Sequence, residues 1–363
     1  MKLSRSSSHP GSCRRSAAAR IARTATATLA VAATTLAIAG CHTKSSSGSG
    51  SGSGGDNVTI MVGGLDKIIY LPAQLTESLG YFSDAGVKVK LLTQPSGASA
   101  ENQLLAGQVQ AVVGFYDHTQ VMQAKGKCLE SVVQFANVPG EAEMVAADQA
   151  DTIKSAADFK GKKAGVTSPG SSTDFLTQYF TAKAGVTTKD YSTITAGAGQ
   201  TFISAMQKGG IDAGMTTDPT ITTLLQKKAG SMLFDMRTEA GTRKALGGLY
   251  PASSLYLSCD YVRQNPQTVQ KLANAFVKTL GYIHDHSAAE IAAKMPEDMK
   301  GGNDKLYVEA MKSSKGMFTT DGKMDAGGAK NVNKVLSFAN PDMKGATVDI
   351  AKTYTTEFVD KAE

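Results

Sequence analysis

From residue 57 onward the chain alternates short apolar β-type runs with helical ones, and it does so twice, which leaves few folds open. Val58–Val62 (VTIMV) has the pattern of a buried strand, 70–79 of a helix, 87–92 of a strand, 98–106 of a helix and 109–113 of a strand. A second series follows: strand 163–167, helix 173–184, strand 192–195, helix 202–208 and strand 211–215. Strands separated by helices favour parallel sheets with both faces covered, so the chain is expected to be α/β. The two series carry a short echo, since GQVQA at 107–111 and GGIDA at 209–213 each follow a helix and lead into a polar loop holding an aspartate. The last third is mostly helical, with Val269, Leu272, Phe276 and Leu280 at helical spacing within 266–283. A strand at 254–258 is expected to return the chain to the first lobe. This predicts a discontinuous lobe 1 (57–148 plus 252–363) and an inserted lobe 2 (149–251).

The first 40 residues are of another kind. Lys2, Arg5, Arg14, Arg15, Arg20 and Arg23 precede an apolar, threonine-diluted stretch of about 17 residues, shorter than the roughly 20 needed to span a bilayer. The run Leu36-Ala37-Ile38-Ala39-Gly40 meets Cys41, and a tract of serine and glycine follows. That arrangement resembles a bacterial lipoprotein signal, with 1–40 removed and Cys41 lipidated. Cleavage after Ala37-Ile38-Ala39 is the alternative and would release a soluble protein. Arg14-Arg15 raises twin-arginine export, but Ser16-Ala17-Ala18 lacks the bulky apolar residues usual after that pair. Residues 41–56 are expected to form a flexible tether, whose SSSGSGSGSGG stretch has an end-to-end distance of roughly 18 Å.

Removing the six basic residues of the signal leaves equal numbers of basic and acidic side chains, so the formal +6 of the whole chain belongs to the export signal. Charge therefore gives no reason to expect a nucleic-acid or acidic-membrane partner. Of the four cysteines, Cys128 and Cys259 remain in the body, where export permits a disulfide and burial as free thiols is equally open. Gly50-x-Gly52-x-x-Gly55 matches a dinucleotide fingerprint, yet no strand precedes it and no helix follows. No H-E-x-x-H, P-loop or G-x-S-x-G motif occurs, and no cofactor or metal is expected.

Several stretches together carry a family resemblance: Leu71-Pro72-Ala73 with Leu79-Gly80-Tyr81-Phe82, Ala106-Gly107 before a strand, FKGKKAGVTSPGSST at 159–173, and Gly210-Ile211-Asp212-Ala213-Gly214 followed by Pro219. In order and spacing they resemble the solute-binding proteins of ABC importers for nitrate, aliphatic sulfonates, taurine and thiamine-pyrimidine precursors. The resemblance implies a two-lobed periplasmic-binding-protein type II fold with the ligand cleft between the lobes. It also implies a monomeric, extracytoplasmic receptor that hands a small solute to an ABC importer permease and its ATPase.

Ligands of such sheets sit beyond the carboxyl ends of the strands, where strand-to-helix loops converge. Those loops supply the candidate ligand residues Asp66, Tyr70, Ser96, Tyr116, Asp117, His118, Ser171, Ser172, Thr173, Thr216 and Asp218. The serine loop offers hydroxyls and free amides at a helix start, suited to an anion or carbonyl oxygen, although Ser171-x-x-Asp174 is also a capping box. Asp218 before Pro219 equally fits a helix N-cap. The loops hold no arginine for bidentate binding of a sulfonate, and their acids favour an amine, amidine or hydroxyl group. A binding protein releases its solute unchanged. The competing reading is an enzyme on the same fold, related to thiamine-pyrimidine synthesis, and a third is a lipoprotein ligand sensor.

Overall fold

The computed structural model describes residues 56–362; the signal at 1–40, Cys41 and the tether up to residue 55 lie outside the described residues. Asp56, expected in the tether, opens β1 (Asp56–Val62) and pairs with Val87.

The first sheet has the order β2-β1-β3-β10-β4, built from β1, β2 (Val87–Thr93), β3 (Ala111–Phe115), β4 (Leu129–Gln134) and β10 (Ser253–Ser258). The second has the order β7-β6-β8-β5-β9, from β5 (Glu141–Ala146), β6 (Lys163–Val166), β7 (Ser192–Thr195), β8 (Ala213–Thr217) and β9 (Gly230–Asp235). In each sheet four strands run one way, and the fifth, the strand arriving from the other lobe, runs against them. β10 is antiparallel to β3 and β4, with Leu255 opposite Val113, and β5 is antiparallel to β8 and β9, with Glu141 opposite Thr217. Central β3 and β8 are buried throughout, whereas edge strand β2 (VKVKLLT) turns Lys88 outward as edge strands must.

Helices cover both sheets. α1 (Leu71–Ser78), α2 (Tyr81–Asp84), α3 (Gly97–Leu105) and α4 (Asp117–Ala124) follow the early strands. In the second lobe lie α5 (Ser172–Lys183), α6 (Gly199–Gln207), α7 (Thr220–Gln226) and α8 (Glu239–Leu246). α9 (Cys259–Gln264), α10 (Pro266–Asp285), α11 (Ala288–Ala292), α12 (Asp304–Ser314) and α13 (Ala326–Ala339) complete the chain. On α10, Val269, Leu272, Phe276 and Leu280 are fully buried, and the Phe276 ring packs on Phe82 and Phe135. None of the described helices is long and apolar enough to cross a membrane.

The division expected after residue 148 falls too late, because β5 is already hydrogen-bonded in the second sheet. The two crossing segments run side by side: Ala252 N–H donates to Ala136 O (2.8 Å), Tyr250 N–H to Asn137 O (3.1 Å) and Gly140 N–H to Met236 O (3.1 Å). Cys128 and Cys259 form a disulfide across 131 positions of sequence, just outside these crossings, so it brackets the whole excursion into the second lobe. The C-terminal helices do not serve the first lobe alone. α13 packs against α5, and one apolar cluster joins Phe175, Leu176 and Tyr179 of α5 to Val332, Val335 and Leu336 of α13.

Candidate functional site

β1, β2, β3, β6 and β8 lead into loops at the gap between the lobes, and these enclose a cavity of about 20 Å³, room for about one water. Lys67, Tyr70, Gly97 and Phe115 line it from the first lobe, and Glu141, Thr167, Thr217 and the serine loop Ser171–Thr173 from the crossing strand and second lobe. A solute of several heavy atoms can enter only when these walls move apart.

The local sequence explains how the lysine reaches the cavity. Gly64 takes φ 127°, and the Lys67 stem lies 2.6 Å from where a Cβ on Gly64 would stand, so only glycine admits the turn. Lys67 Nζ then donates to Gly63 O (2.6 Å) and Pro95 O (3.0 Å). Burial lowers its pKa to about 8, against the pull of Asp66 and Glu141. Tyr70 and Phe115 meet edge to face at 6.2 Å, forming an aromatic wall with the Lys67 ammonium 5.9 Å from the Tyr70 ring centre.

Glu141 faces them from the start of β5. It is 3% exposed, its Oε2 has no hydrogen-bond partner, and burial holds its pKa well above the ordinary carboxylate range, with Asp117 adding to the shift and Lys67 opposing it. On the same face two residues on, Glu143 is 1% exposed, touched only by Thr177 Oγ1 at 3.3 Å, and raised to about 8 by burial.

Two aspartates bind across the gap. Asp117, fully buried at the start of α4, accepts from Ser172 Oγ of the opposite lobe (2.9 Å) and from Tyr250 OH (2.9 Å). Burial raises its pKa, against the effects of His118, Ser172 and Tyr250. Asp218, also fully buried, follows β8 in the second lobe. Its Oδ2 accepts from Ser314 Oγ of α12 (2.8 Å) and from Arg237 Nη1 (3.2 Å), while its carbonyl accepts from Ile68 N–H (3.0 Å).

The expected site residues therefore separate. Tyr70, Ser171, Ser172 and Thr173 line the cavity, and Asp117 stands one hydrogen bond behind it. Tyr116 does not, because it points into the core, where its hydroxyl meets Thr353 Oγ1 (2.5 Å) and Gln120 Nε2 (3.1 Å). Ser96 caps α3 through Ser99 N–H, Thr216 is buried in β8 with Oγ1 unpartnered, and Asp66 is exposed near Gly199 at the start of α6. Asp218 is occupied: its Oδ1 accepts from Thr222 N–H and Oγ1 one position outside the cap, which Pro219 holds. The capping box at Ser171 does not form, since Asp174 accepts from Gly170 N–H instead and Ser171 Oγ turns toward Thr167 and Thr173.

His118 lies behind Gly97, with Nδ1 2.9 Å from Glu101 Oε2 and Nε2 unpartnered 2.8 Å from where a Cβ on Gly97 would sit. Burial disfavours its imidazolium, but Glu101 and Asp117 outweigh that and hold its pKa above the usual value. Lys67, Glu141 and Thr217 escaped the sequence reading: EAEMVA has no strand alternation, and Lys67 sits between an aspartate and an apolar run. No group of side chains suited to a metal occurs among the described residues.

Comparison with known proteins agrees with this architecture. A solved protein of Bordetella bronchiseptica RB50 is 35% identical, with 84% of this chain and 96% of that one aligned at a TM-score of 0.81. The alkanesulfonate-binding protein of Xanthomonas axonopodis pv. citri, solved with MOPS, shares the fold at 16% identity, covering 83% and 98% of the two chains with a TM-score of 0.65. A 4-amino-5-hydroxymethyl-2-methylpyrimidine phosphate synthase of Aspergillus parasiticus is 26% identical over 260 residues, 68% of this chain and 71% of its own. The NMT1/THI5-like family model matches residues 70–290, spanning most of both lobes, and the chain belongs to that family, on the two-lobed periplasmic-binding-protein fold.

Proposed function

We propose that the protein is an extracytoplasmic receptor that closes its lobes on a small organic solute and delivers it to an ABC importer permease. The observation that carries this reading is the interlobe cavity in which Glu141 presents an unpartnered, buried carboxyl oxygen beside the Tyr70–Phe115 wall and the amides at the start of α5. An acceptor of that kind, left unpaired at a cost of about 1–3 kcal/mol, suits a ligand that donates: an amine, an amidine or the amino edge of a nitrogen ring. The aromatic wall suits a flat ring, and the serine loop accommodates a carbonyl or an anionic substituent. Anchoring through Cys41, with residues 1–40 as the signal, would keep a monomeric receptor beside its permease, and labelling with a palmitate analogue that is lost in Cys41→Ala tests the anchor.

The solute is tested by thermal shift of the purified protein against amines, pyrimidines, sulfonates, carboxylates and nitrate. At a hundred times Kd a ligand adds about 2.7 kcal/mol, several degrees in melting temperature. Stabilisation by nitrogen-bearing rings that disappears in Glu141→Gln supports the reading; stabilisation by sulfonates alone refutes the assigned chemistry. The Aspergillus relative supports a second reading, an enzyme on the same fold. Mass spectrometry decides between them, because a receptor returns its ligand unchanged.

A further inference from the structure

A second concavity lies away from the cleft. It is a groove of about 580 Å³ on the second lobe, between the C-terminal half of α5, edge strand β9 and α8. Its floor is apolar. The Phe180 and Phe234 rings stack face to face at 4.2 Å and 14°, and Ala156, Leu233 and Ala245 extend that surface to Met232, which is 37% exposed. Every lining residue belongs to one lobe, so the groove persists whether the cleft is open or shut.

Its charge is one-sided. Lys183 and Lys244 stand exposed on the lining, and neither meets a carboxylate among the described residues; the Lys183 ammonium lies 5.5 Å from the Tyr179 ring centre. The acid in the lining, Asp235, is already bound by Arg237 through Nε and Nη2, both at 2.9 Å. Nearby Glu239 pairs with Arg243 at 3.5 Å. What remains unmatched is an apolar trough of ligand-sized volume with two free ammonium groups beside it.

We propose that this groove is a second binding site, separate from the interlobe cavity, for a small amphiphilic anion whose alkyl chain covers Phe180, Phe234 and Met232 while its carboxylate meets Lys183 and Lys244. The apolar contact supplies most of the affinity, at roughly 25 cal/mol per Å² buried, and the lysines set the orientation and sign of charge.

Monomeric dodecanoate is the probe, measured by isothermal titration calorimetry on the purified protein. One saturable site is expected, at least tenfold weaker in Lys183→Glu/Lys244→Glu and in Ala184→Trp, which fills the groove, and unchanged in Glu141→Gln. All three positions changed in the groove are exposed, and melting curves verify that the variants fold. Absence of saturable binding to the unmodified protein overturns the proposal, as does binding that survives both groove changes or is lost in Glu141→Gln. Association with phosphatidylglycerol vesicles without binding of monomeric dodecanoate overturns it too, in favour of a membrane-contact face.

Discussion

Ser314→Ala separates lobe closure from solute contact. Ser314 Oγ donates to Asp218 Oδ2 at 2.8 Å, joining α12 to the end of β8 across the gap, and neither residue lines the cavity. A hydrogen bond to a buried carboxylate is worth about 1.5–3 kcal/mol. The low end applies, because Asp218 keeps Arg237 at 3.2 Å and both bonds from Thr222. Where the free protein rests open, a loss of about 1.5 kcal/mol from the closed state weakens apparent solute affinity roughly tenfold. Calorimetry with the best solute from the thermal screen measures this, and Ser313→Ala, one residue earlier on the exposed face, is the control. If the free protein rests open, its melting temperature stays within a degree; if it rests closed, the affinity moves less and about 2–3 °C are lost instead. Affinity within twofold of the original together with an unchanged melting temperature, Ser313→Ala being indistinguishable in both, would refute the idea that Asp218 holds the lobes together.

Ser172→Ala removes both a cavity hydroxyl and the bond to Asp117, so calorimetry should show a larger affinity loss than Ser314→Ala, by about tenfold or more. Replacing Cys128 and Cys259 by serine frees a loop of 131 positions; the chain-entropy limit is about 5 kcal/mol, and a clear drop in melting temperature with retained solute stoichiometry is expected. Glu143, raised to about 8 by burial from an ordinary 4.5, binds more proton folded than unfolded. Its contribution is therefore greatest below about pH 4.5, falls as pH rises toward 8 and is level beyond. Glu143→Gln should melt several degrees above the original protein at pH 9, and the difference should shrink toward pH 5.

Element positions were legible wherever one physical signal dominated. Strand 192–195 and the start of the long helix at Pro266 follow from local composition, and 87–92 reads as a strand because its lysines alternate with apolar residues. β4, β5 and β9 were not legible. LESVVQ, EAEMVA and GSMLFD each put a polar or acidic side chain where an isolated strand would show apolar alternation, and each is held by pairing with residues far along the chain. Missing β5 also misplaced the lobe boundary and hid Glu141. Tyr116 was misjudged because a loop aromatic can turn toward either the cleft or the core, and here Thr353, more than two hundred residues away, decides the direction.

The echo between GQVQA and GGIDA has a structural meaning that composition could not supply. β3 and β8 occupy the same place in their sheets, each third in the order, and each is followed closely by a fully buried aspartate. Asp117 receives a serine hydroxyl from the second lobe and Asp218 one from the first. The two aspartates thus each accept from the opposite lobe, so opening the cleft breaks both bonds and exposes both carboxyl groups to water. Buried acceptors left dry and unpaired are costly, so partly open states in which one bond is broken but water has not entered are disfavoured. The arrangement favours two states over a continuum, which the proposed receptor role would require. On the proposed function, a solute would tip the balance by supplying the donor that Glu141 lacks in the closed state.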